Sequence, residues 1–117
     1  MPEEDTEDRL EAALALVYDA IHINNAGLRS NPSKEEKRKL LKRRARLEAE
    51  RADLEGMLDA LADGEALDVA PPSDQQVQAI AALTGAVEQQ RNKAVTAAAA
   101  LQITGQVLDL ATELTGV

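Results

Sequence analysis

The 117-residue chain has no cysteine, a single aromatic side chain (Tyr18) and a formal net charge of −8. The first excludes disulfides, thiolate nucleophiles and thiolate metal sites, and the second leaves no platform for stacking bases or a flat cofactor. The length fits one helical domain, 1–117, and the 44% apolar content, mostly Ala, Leu and Val, suits helices packed closely along small residues.

The first residues, 1–8, are acidic where an export signal would be basic and then apolar, so the expectation is a cytoplasmic protein. Leu10, Leu14, Val17, Ile21, Asn24 and Leu28 alternate at spacings of four and three, which predicts an amphipathic helix over 3–28, about 37 Å long. Glu3, Glu4, Asp5, Glu7 and Asp8 complement the positive end of its dipole, and Gly27 with Asn31-Pro32 stops it.

Ser33 followed by Glu36 is a capping box that opens a second helix over 33–63. Leu40, Leu47, Leu54 and Leu61 recur every seven residues along it, with Leu58 between the last two, and make a helix seam. Gly64 ends the helix, and Pro71-Pro72 closes the connection that follows. Ser73 and Gln76 repeat the cap. No proline or loop cluster interrupts the chain from there to Thr115, so the pattern predicts a third helix over 73–115, about 64 Å long, with Gly85 and Gly105 as candidate kinks. The expected fold is all-α, a long antiparallel helical hairpin or three-helix bundle with coiled-coil-like packing.

A third helix of that length overhangs the other two from about Ile103. The overhang, 103–117, is apolar: Ile103, Val107, Leu110, Leu114 and Val117 form one seam, and Leu101 and Leu108 lie on another side. At the opposite end the short first helix runs out near Leu54, and Met57, Leu58 and Leu61 lie beyond its reach. These residues are the expected oligomer interface, and a homodimer is the expected assembly. Asn24, Arg44, Arg51, Thr84 and Arg91 interrupt the apolar stripes, as register-setting or snorkelling residues do.

The charge is polarised along the chain. Residues 34–46 hold eight basic side chains against Glu35 and Glu36, a local +6, so the remainder carries −14. Arg38, Lys39, Lys42, Arg43 and Arg46 are candidate contacts for an anion or an acidic partner, the more so because positive charge at a helix start opposes the dipole. Glu3 to Asp8 with Asp59, Asp63, Glu65 and Asp68 form the opposite pole, so an antiparallel dimer could set acid against base. Nucleic acid is the alternative partner. It is disfavoured by the acidic remainder, by Leu40 and Leu41 within the basic stretch, and by the lack of an Asn there to read base edges.

Catalytic and metal chemistry find little support in the residues. Asp19 and His22 have a ligand-like spacing of three, but helical projection places both away from the apolar stripe, facing water. Ser33 and Ser73 are used as caps, and the glycines are scattered singly rather than gathered in a phosphate loop. The longest uncharged run, 94–108, is too short and too polar to span a bilayer. The expectation is a non-catalytic protein without cofactor or metal, without a membrane segment, and with a protein partner: itself, a second protein, or both.

Overall fold

A computed structural model describes the backbone of residues 2–116 and side chains from Asp5 to Gly116. Val117 and the side chains of Glu3 and Glu4 lie outside the described residues. The protein is all-helical: α1 (Pro2–Leu28), α2 (Lys34–Ala62), α3 (Asp74–Arg91) and α4 (Ala97–Thr115). Both predicted capping boxes are present. The Ser33 hydroxyl accepts from the Glu36 amide while the Glu36 carboxylate accepts from the Ser33 amide, and Ser73 and Gln76 do the same at the start of α3.

The continuous third helix is corrected. The chain breaks at 92–96 into α3 and α4, while Gly85 and Gly105 both sit inside helices. Asn92 caps the end of α3, and Thr96 caps the start of α4 by accepting from the Ala99 amide at 3.1 Å. Asn and the β-branched pair Val95 and Thr96 weaken local helix preference, and the reversal they allow buries nine residues of α4. Burial of an apolar face outweighs a few more turns of continuous helix.

The four helices run up, down, up and down in a body of 46 × 23 × 18 Å. Its shape follows from which helices touch. α1 and α4 contact each other and also both remaining helices, whereas α2 and α3 lie on opposite sides and do not meet. Arg9 ties α1 to the start of α3, donating to the Pro72 carbonyl and to Asp74, both at 2.7 Å, and Asp19 reaches Arg91 at its end at 3.4 Å.

Because α1 is central, its apolar stripe is wider than the one predicted. Leu10, Val17 and Asn24 are fully buried, but Leu14, Ile21 and Leu28 are half-buried. Ala13, Leu16, Ala20, Ile23 and Gly27 supply the rest of the buried surface. Gly27 is required by close approach: a Cβ there would lie 2.7 Å from the Ala100 Cβ on α4. Asn24 is wholly enclosed. Its Nδ2 donates to the Leu40 carbonyl at 2.9 Å, while its Oδ1 has no hydrogen-bond partner among the described residues.

The apolar overhang is likewise corrected. With α4 folded back, Ile103, Val107, Leu108, Leu110 and Leu114 are at most 7% exposed and pack against α1 and α2 within the single chain. Leu54 is fully buried, and Leu58, Leu61 and Leu101 are half-buried against the same core. The surface that asked for a partner is the interior of the protomer. Thr115 fastens the end of α4 to α2 by donating to the Glu50 carboxylate at 2.7 Å.

Candidate functional site

No other helix covers the outward side of α2, and the predicted basic residues lie on its first half. Its seam of Leu40, Leu47 and Leu54 is fully buried, which turns the opposite side of the helix to solvent. Arg38, Lys39, Lys42 and Arg46 are exposed, as are Lys34 and Lys37. Among the described residues, only Lys39 of these six forms a salt bridge, a loose one to Glu35 at 3.4 Å. Leu41 stands among them, 40% exposed.

Arg43 belongs elsewhere. It is half-buried against α4, where one guanidinium nitrogen donates to the Leu101 carbonyl at 2.8 Å and to the Thr104 hydroxyl at 3.1 Å. Gly105 leaves the room, since a Cβ at that position would come within 2.9 Å of the same nitrogen. Burial lowers the Arg43 pKa from its ordinary value, nearby Arg46 lowers it further and Asp109 opposes the shift. Arg43 therefore joins two helices, and the candidate surface is made by its exposed neighbours.

Oppositely charged residues four apart in the middle of α2 pair only in part. Arg51 pairs with Glu55, and its pKa is raised first by hydrogen bonding to Tyr18 and then by Glu55. Among the described residues Arg44–Glu48 and Arg46–Glu50 do not form salt bridges, and Glu50 is turned inward, 7% exposed, to receive Thr115. Among the described residues Arg46 forms no salt bridge.

The second half of α2 carries a feature that charge spacing alone did not reveal. Beside it lies a cleft of about 500 Å³, between the helix and the connection 65–69. Ala52, Gly56 and Ala60 form its small-residue side, and Asp53, Glu65 and Asp68 give it an acidic rim. The signal was available in the spacing of Ala45, Ala49, Ala52, Gly56 and Ala60, a second stripe at four, three, four and four, opposite the leucines.

His22 is exposed, and Asp19 is engaged with Arg91 on α3 rather than turned to water as helical projection predicted. The structure does not bring the two together as ligands, and no group of three or more potential metal-ligating His or acidic side chains occurs among the described residues. No helix among those residues is long and apolar enough to cross a membrane. No protein-family model, curated protein or solved structure matches the chain.

Proposed function

We propose that the chain is a non-catalytic interaction protein that self-associates through charged helical surface and presents the rest of that surface to another protein. The observation that carries this reading is the outward side of α2, with unpaired cations on its first half and a small-residue, acid-rimmed cleft beside its second. Such an arrangement is complementary to an oppositely charged partner and contributes little to the stability of the chain that bears it. The apolar seams first assigned to assembly are used inside the protomer, so association rests on polar and small residues. The test is the mass in solution by light scattering at low and at high salt. A dimer at low salt that loosens at high salt is the expected result, and a monomer at both overturns self-association.

The unpaired state of Arg38, Lys42 and Arg46 also favours a second reading, binding of nucleic-acid phosphates. It calls for affinity to a short DNA duplex that falls steeply with salt and is lost in the Arg38→Glu, Lys42→Glu variant. Affinity indifferent to both removes it. The net charge of −8 places this reading second.

A further inference from the structure

We propose that a second copy of this chain docks on the outward side of α2, with the two α2 helices antiparallel and the twofold axis passing beside Ala49. The proposal rests on the reading of the protein as self-associating and names the surface that does it.

The outward side follows from helical geometry. Taking about 100° per residue, Ala49 lies opposite the buried Leu40, and Arg38, Lys42, Ala45, Ala52 and Gly56 fall within roughly 60° of it. All are exposed. Ala and Gly at the centre let two helix axes come to the short end of the usual range of about 8–10 Å. Leu41, the exposed aliphatic side chain of this surface, then lies over the partner's Gly56.

Charge chooses the direction and the register. A twofold axis at Ala49 sets Arg46 beside the partner's Asp53, Arg38 beside the partner's Asp59 and Lys34 beside the partner's Asp63. Symmetry repeats each pair. A parallel arrangement would instead set Arg46 on the partner's Arg46 and Asp53 on the partner's Asp53, so the sequence of charges along the helix selects the antiparallel form. None of these six side chains forms a salt bridge within the chain among the described residues. The cleft adds a second complementarity. Lys42 and Arg46 come opposite the partner's Gly56 and Ala52, and so enter the side of the copy rimmed by Asp53, Glu65 and Asp68.

The test uses the full chain in sedimentation equilibrium, with far-ultraviolet circular dichroism to confirm that each variant is folded. Arg46→Asp and Asp53→Arg each turn two attractive pairs into two repulsive ones, and each is expected to weaken the dimer by about tenfold or more. The double variant Arg46→Asp, Asp53→Arg restores the pairs with signs exchanged, and its dimer is expected to return. A wild-type dimer unmoved by either single change, or a double variant without rescue, overturns this interface while leaving self-association standing. A monomeric wild type overturns both. A monomer that binds a short DNA duplex, and loses it in Arg46→Asp, would assign the surface to a polyanion instead.

Discussion

Arg43 and Arg38 are five residues apart on one helix and share a charge, yet the structure gives them separate tasks. The Arg43 guanidinium spans from α2 to the backbone and hydroxyl of α4, a charged donor serving two acceptors in a half-buried place. Hydrogen bonds to charged groups contribute about 1.5–3 kcal/mol each, and some of that is lost here to partial exposure. Arg43→Ala is expected to lower the unfolding free energy by about 1–2 kcal/mol, read from the urea midpoint. Arg38→Ala, on the exposed side, is expected to stay within about 0.5 kcal/mol of wild type. Equal losses from the two would show that Arg43 does not join the helices.

At the scale of elements, the caps were the most legible feature of the sequence. Ser33 with Glu36 and Ser73 with Gln76 set the starts of α2 and α3 to within a residue, because a cap is decided by local hydrogen bonds. The break at 92–96 was not legible. Asn92 and Thr96 are cap-forming residues, but the sequence between them carries neither proline nor glycine, and only the burial gained by α4 makes the reversal favourable. The basic residues of α2 could be found from charge alone, though exclusion of Arg43 required the position of α4. The small-residue stripe was hidden because alanine and glycine read equally as helix filler or as contact.

The same packing makes α3 the least anchored helix. It buries only Ile80 and Val87 completely enough to count as core, against nine buried positions in α4, and it does not touch α2. Its amides are expected to exchange with solvent at lower opening free energy than those of α1, α2 and α4 in native-state hydrogen exchange. Uniform protection across all four helices would mean that α3 is held as firmly as the core.

For the whole molecule, the decisive fact is that the core closes within one chain. Leu10, Leu40, Leu47, Leu54, Val87 and Val107 are fully buried without any contribution from a second protomer. Folding and association are therefore separable, in contrast to obligate dimers whose folded monomer is unstable. A dimer of the proposed kind is expected to keep its helical circular dichroism signal constant on dilution through the range where its mass halves. A parallel loss of mass and helicity would mean that the protomer depends on its partner for its fold.

Asn24 shows how this protomer chooses among alignments of its own hairpin. Leucines repeated at seven-residue intervals are nearly interchangeable, so α1 could slide two turns along α2 and still find a leucine opposite each of its own apolar residues. The amide limits such slides to whole heptads, because each of those again sets a leucine carbonyl before it. In the observed alignment its Nδ2 meets the Leu40 carbonyl. A shorter slide that faced it with apolar side chains would leave the buried donor unsatisfied, at a cost of about 1–3 kcal/mol, roughly a five- to 150-fold bias against that alignment. The polar atom enclosed in the core thus acts as an index mark, trading some cohesion for a short set of evenly stepped ways of bringing two repetitive helices together.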